Sequence, residues 1–364
     1  MKLKALTILL ALASVLSMTM VACNKKTDEP STDVVGADGT SGGSDIKVGA
    51  IETLDRTLNF RLYTEKDGDK YYAAVGFTKN QQKTLTIPAT FKDLPVRVIA
   101  DSAFQGCKEI LSVSIPESVT VIGKMAFDDC DKITEIAIPN SVISMGERAF
   151  SDCDSLASVS IGNGLPAISE SAFYSCDKLT AIQFGTAVKE IGHSAFANCY
   201  ALEEITLPRE LSVLGERAFR YCDKLKKVQL FDQLTQIGED VFFGCTALVQ
   251  TELDGAHYLG NDENPYLVLC DIPDKTITEY SVHANTHYVL QSVFADCTKL
   301  ASVTLPATIK VLSEKAFDRC IALATIQFGG TVEAWNAVHK VNLWDNQTGN
   351  YTVVCTNGTL AKHS

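Results

Sequence analysis

The chain has 364 residues, 46% of them hydrophobic, and 32 basic against 44 acidic side chains give a net charge of −12. That length suits one long domain or two ordinary ones. An acidic surface repels phosphate backbones and anionic lipid head groups, which argues against nucleic acid as a partner and against a membrane held by charge.

The N-terminus has the regions of an export leader: basic "MKLK", apolar "ALTILLALASVLSMTMV", then "MVAC" ending at Cys23. A small residue followed by cysteine resembles the bacterial lipoprotein box, although Met20 stands where leucine is usual. The resemblance implies a signal peptide over residues 1–22 and lipidation of Cys23; an ordinary secretory leader is the alternative, and either way the protein is exported. The expected location is the bacterial cell envelope, at the cell surface. Residues 23–45 are polar and rich in Gly, Ser and Thr, a composition that buries no core and reads as a flexible tether. No later apolar run is long enough to span a bilayer.

From residue 84 the chain repeats itself. Cysteines recur every 23 residues at Cys107, Cys130, Cys153, Cys176, Cys199, Cys222 and Cys245, and again at Cys297 and Cys320. A phenylalanine precedes each by three: Phe104, Phe127, Phe150, Phe173, Phe196, Phe219, Phe242, Phe294 and Phe317. Eight residues before each cysteine the side chain is apolar, as at Ile122 or Leu312, and three after it stands Ile or Leu. A short alternating run then closes on Pro or Gly, as in "IAIP" and "VTLP". Such a run is a strand with one buried face. One strand per 23 residues buries nothing alone, whereas stacked turns pair their strands in parallel around a continuous apolar interior. Between Cys245 and Cys297 the spacing widens to 52 and Asp274 takes the cysteine's place, so one turn is degenerate, with an expansion over residues 254–281.

A 20–29-residue period with regular leucines is a leucine-rich-repeat signature. More closely, "IGxxAFxxCxxLxxIxIP" over residues 84–330 resembles the BspA-like leucine-rich-repeat family of bacterial surface proteins. The flanks resemble it too. "LNFRLYTEKDGDKYYAAVGF", within residues 46–83, is similar to the family's N-terminal β-hairpin cap, and "YLGNDENPYLVL" to its usual expansion. Residues 331–364, which hold Trp335 and Trp344, are similar to its C-terminal module and read as a second cap, since an open stack end exposes strands and core. The expected fold is therefore a leucine-rich-repeat solenoid with one short parallel strand per turn.

Side chains at equivalent positions of stacked strands lie about 5 Å apart and point the same way. Metal-binding sulfurs must converge on one point, and disulfides need sulfurs turned toward each other. A catalytic cysteine would be singular and beside a base. The ladder cysteines are thus expected to be small, buried, unpaired thiols next to Phe. The Asp131, Asp154, Asp177 and Asp223 column offers one carboxylate per turn, too few for calcium, and reads instead as turn-capping residues.

None of the familiar catalytic or phosphate-binding motifs occurs. No cofactor and no metal are expected, and no enzyme activity; a reading in which Cys355 works with His339 or His363 lacks any supporting spacing. The outward positions of the strands, among them Glu135, Gln183, Glu204, Thr206, Lys227, Gln229 and Glu252, form the expected partner-binding face. Tyr174, Tyr200 and Tyr221 mark a second patch on a flank. The family resemblance implies adhesion to host matrix proteins or other cells, hence a protein partner. A glycan-binding or uptake-associated lipoprotein is the alternative, which exposed flank aromatics would favour.

Overall fold

The structure, a computed structural model, describes residues 47–55, 57–78 and 83–362. The leader, Cys23 and the tether lie outside the described residues. The chain divides between Ala187 and Val188 into two compact units.

The first unit begins with three antiparallel strands, β1 (Lys47–Leu54), β2 (Leu58–Thr64) and β3 (Lys70–Phe77). The expected hairpin is the β2–β3 pair, and β1 adds a third strand to its edge. β3 turns this antiparallel start into a stack by pairing in parallel with Leu94–Ile99, which pairs with Val121–Ile122 and then Ser144–Met145. A second parallel ladder runs through Glu135–Ile138, Ser158–Ile161 and Ala181–Gln183. Each regular turn therefore supplies two strands. The longer is the alternating run, and the shorter, of two residues, carries the apolar position eight before the cysteine.

The arc between them contains the phenylalanine. It bends through two left-handed residues, two before and two after Phe, such as Met125 and Asp129 (φ 54° and 61°) around Phe127. That conformation is disfavoured for most side chains. It turns the intervening amides toward the next turn: the N–H groups of Met125, Phe127 and Asp129 donate to the carbonyls of Glu147, Ala149 and Ser151 at 2.8–2.9 Å. Three main-chain bonds per arc offset the strain. Rings stack along the interior, with Phe127–Phe150 at 5.1 Å and Phe150–Phe173 at 5.5 Å, both nearly parallel.

The cysteines have a role beyond filling space. The Cys153 thiol donates to the Phe127 carbonyl of the preceding turn at 3.3 Å, and Cys130, Cys176, Cys222, Cys245 and Cys320 repeat the bond at 3.0–3.3 Å. Each is a small buried side chain with one weak donor aimed at one carbonyl. Burial pushes the Cys130 and Cys320 thiols up to about 12. Cys107 departs from the expected row of thiols, because it is disulfide-bonded. The capping reading of the aspartate column also needs correction: Asp131 pairs with Lys108 at 3.1 Å, and the side-chain bond to a backbone N–H two residues on is made by Asp274, to Thr276 at 2.8 Å.

In the second unit, Glu190–Ile191, Val213–Leu214 and Gln236–Ile237 form one ladder and Glu204–Thr206 with Lys227–Gln229 the other. Both stop there. The expansion folds as an antiparallel meander, Thr251–Leu253, Ala256–Leu259 and Val268–Asp271, and the last of these restarts parallel stacking with Tyr288–Val289, Val311–Leu312 and His339–Lys340. The expansion thus repeats the topology of β1–β3. The chain ends with α1 (Val332–Ala337), N-capped by the Thr331 hydroxyl, and an antiparallel pair, Thr352–Cys355 with Gly358–Ala361. Trp335 and Trp344 are buried there, their rings 6.0 Å apart.

Candidate functional site

The outward face of the strands is polar because the pleat sends alternate residues inward. In Glu204–Thr206, Ile205 is buried while Glu204 and Thr206 are exposed, and Val228 is likewise buried between Lys227 and Gln229. Parallel register sets Glu204 beside Lys227 and Thr206 beside Gln229.

The expansion builds a wall against this face. Its Gly260 carbonyl accepts from the Leu230 N–H at 3.1 Å, and the Asn261 amide donates to the Leu230 carbonyl at 2.6 Å. Asp262 then bonds the Gln229 side-chain amide at 3.0 Å and pairs with Lys227 at 3.1 Å. The Gln229 bond, followed by that of Lys227, holds the Asp262 carboxyl below its ordinary range. The result is a cleft of about 350 Å³, lined by Glu204, Thr206, Arg209, Lys227, Gln229, Phe231 and the expansion's Asn261, Asp262 and Glu263. The Arg209 guanidinium lies over the Phe231 ring at 4.6 Å. Carboxylates, cations, amides and a hydroxyl converge here. Among the described residues no His, Cys, Asp and Glu side chains are grouped so as to hold a metal ion.

Of the expected face, Glu204, Thr206, Lys227 and Gln229 come together in this cleft. Glu135 and Gln183 lie exposed on the first unit's own sheet. Glu252 does not join the parallel face: its strand pairs antiparallel with Ala256–Leu259, opposite His257. Sequence reading missed Arg209, Phe231, Asn261, Asp262 and Glu263. The last three lie in "YLGNDENPYLVL", whose resemblance to the family's expansion marked an insertion but not a wall against the sheet face.

On the flank of the second unit, Tyr200, Tyr221 and Phe243 are 41%, 39% and 52% exposed. The Arg220 guanidinium covers both Tyr221 and Phe243, at 4.8 and 5.1 Å. In the first unit Tyr174 is half-buried. Cys355 is buried, and burial raises its thiol pKa. His287 is held by Asp232, which also takes the Lys310 ammonium at 2.6 Å.

Parallel turns of 23 residues, with stacked rings along the interior and, at six cysteines, a thiol bonded to the turn before, define a leucine-rich-repeat solenoid. The model of the BspA type leucine rich repeat region matches residues 74–200, 120–249 and 274–337, and the chain belongs to that family. The crystal structure of a leucine-rich repeat protein from T. pallidum is 31% identical, with 54% of this chain and 91% of that one aligned and a TM-score of 0.50. The pneumococcal vaccine antigen PcpA is 19% identical over 85% of this chain and 89% of its own, with a TM-score of 0.40. A leucine-rich repeat protein from Bacteroides ovatus is 18% identical over 83% and 100%, with a TM-score of 0.34. No curated protein matches the chain. Among the described residues no helix is long and apolar enough to cross a membrane.

Proposed function

We propose that the protein is an exported, lipid-anchored surface protein that binds a protein ligand, on a host matrix or another cell, without chemistry of its own. The observation that carries this reading is the cleft: an expansion of the repeat folds back on the sheet face and fixes Lys227, Gln229 and Asp262 in one network. Polar groups linked to one another around a concavity can select a partner by hydrogen bonds and charge. Membership in the BspA type family supports a binding role, and the buried, pKa-raised thiol of Cys355 counts against a nucleophile there. Cys23 would carry the lipid and residues 23–45 the reach from the membrane.

Three measurements test it. Protease shaving of intact cells should release repeat peptides while a periplasmic control stays protected, and Cys23→Ser should abolish radiolabelled lipid incorporation. Binding of the full chain to immobilised matrix proteins and to neighbouring cells should fall with Lys227→Glu. Repeats protected until the envelope is broken, or binding indifferent to Lys227, would remove the adhesion reading. The exposure of Tyr200, Tyr221 and Phe243 favours a second reading, a glycan ligand stacked on the flank; Tyr221→Ala rather than Lys227→Glu would then lower binding to a glycan panel.

A further inference from the structure

The expansion interrupts the second unit's ladder of two-residue strands and leaves a crease there. Before the expansion the ladder ends at Gln236–Ile237. After it, the ladder restarts at Val268–Asp271 and runs through Tyr288–Val289 and Val311–Leu312 to His339–Lys340. Side chains from the two runs meet across this crease. Asp232 takes the Lys310 ammonium at 2.6 Å, and the Glu239 and Glu314 carboxyls are hydrogen-bonded to each other.

A cavity of about 330 Å³ lies in the crease, with Glu216, Glu239, Glu314 and Gln291 on its polar side and Ile237 and Val341 on its apolar side. Arg217 answers Glu216 at 2.8 Å and Lys315 answers Glu314 at 2.9 Å. Glu239 pairs with no cation among the described residues, and its bond to Glu314 raises its pKa. Two carboxyls bond in this way only with a proton between them; without it, two like charges stand side by side. His339, the other titratable side chain of the lining, is exposed. A second unanswered group is Ser313. It lines the cavity, is 3% exposed, and its hydroxyl has no hydrogen-bond partner among the described residues. Ser169, which like Ser313 stands seven residues before a ladder cysteine, donates its hydroxyl to the Met145 carbonyl of the preceding turn. A buried hydroxyl left without such a bond costs free energy that a ligand can recover.

We propose that this cavity binds a primary ammonium group on a short alkyl chain, as carried by a free diamine or by a lysine side chain of a partner protein. The ammonium takes the place of the proton between the carboxyls, which leaves to solvent. It donates to the Glu239 carboxylate, to Ser313 Oγ and to the Gln291 amide oxygen, and its alkyl chain lies against Ile237 and Val341. An ammonium has three donors and no acceptor, which suits a lining of oxygens with one uncompensated negative charge. A metal ion suits it less, since among the described residues no His, Cys, Asp and Glu side chains are grouped to hold one. The proposal is independent of the adhesion reading.

The test is isothermal titration calorimetry of the full-length protein with cadaverine, a five-carbon diamine, and separately with Nα-acetyl-lysine methylamide; pentanol is the uncharged control. Saturable binding of an amine is expected, and none of the alcohol. A preference for cadaverine assigns the site to a free amine, and a preference for the lysine derivative assigns it to a partner's side chain. Glu239→Gln should weaken binding about tenfold, through loss of one charge-assisted bond, and Ser313→Ala several-fold. Ser313→Ala removes a hydroxyl that bonds nothing, so it should melt no lower than the parent, which separates lost binding from lost folding. Circular dichroism confirms that Glu239→Gln folds. No saturable binding by either amine, equal binding of pentanol, or an affinity unchanged in Glu239→Gln or in Ser313→Ala overturns the proposal. So does calcium that binds more tightly and displaces the amine, which would give the carboxyl pair to a metal ion.

Discussion

Replacing Cys153 by alanine isolates what one ladder thiol contributes. The side chain is fully buried and donates to the Phe127 carbonyl at 3.3 Å. Losing one buried heavy atom forfeits roughly 1 kcal/mol of transfer free energy. The void left behind, of about 20 Å³, adds roughly 0.5 kcal/mol, and the weak hydrogen bond about 0.5 kcal/mol more. The expected loss is therefore about 2 kcal/mol, read as a lower urea midpoint by circular dichroism with the slope unchanged. Cys153→Val restores the volume without the donor and should fall between the two. An alanine variant within about 0.5 kcal/mol of the parent would refute the packing argument, that being the range of inert surface changes. A valine variant as stable as the parent would refute the share assigned to the thiol–carbonyl bond.

Three other outcomes are expected. Gly146→Ala should be among the most damaging changes, because a Cβ there would stand 2.3 Å from the Lys124 backbone nitrogen, whereas Gly68→Ala, in open space at φ 88°, should cost only about 1–2 kcal/mol; thermal melts of the two variants compare them directly. The ladder thiols should resist alkylation at pH 8 until denaturant is added, as mass-resolved labelling would show. Cys130, with its pKa raised by burial to about 12 against an ordinary 9.0, contributes stability that is whole below pH 9 and lost as pH rises toward 12. At Asp232, burial raises the carboxyl pKa but the bonds from Lys310 and His287 outweigh it, so the folded value lies below the ordinary 3.8. That contribution is present above the ordinary value and disappears as pH falls through the folded one. Asp232→Asn should accordingly lower Tm at pH 7 and make progressively less difference below pH 4, and an equal shift at both pH values would contradict the assignment.

The periodic part of the fold was legible because every level of the sequence repeats it. Phe, Cys and the alternating run each recur at 23 residues, and their coincidence leaves few ways to bury them. The second strand of each turn was not legible as a strand, since two residues such as Val121–Ile122 carry no alternation. The thiol's bond was hidden for a different reason: a column of cysteines states size and apolarity, whereas the carbonyl it serves belongs to another turn and emerges only from the left-handed bends around Phe. The cleft was half legible. Outward positions such as Lys227 follow from the pleat, but the wall at Asn261–Glu263 comes from an expansion with no period, whose placement depends on bonds to Leu230 and Gln229. The fate of Glu252 shows the same limit, because extrapolating the register through a turn whose inward residue is Thr251 put it on a face it does not join.

The meander at Thr251–Asp271 has a consequence for the way the chain can be assembled. Solenoid turns are stabilised mainly by contact with their neighbours, so a turn is completed beside one that is already formed. A segment that rebuilds the topology of β1–β3 in mid-chain gives the turns from Val268 onward a template of their own. Synthesis could then complete those turns even if the preceding ladder were delayed. Evolution could likewise lengthen, shorten or exchange either run of repeats without re-registering the other.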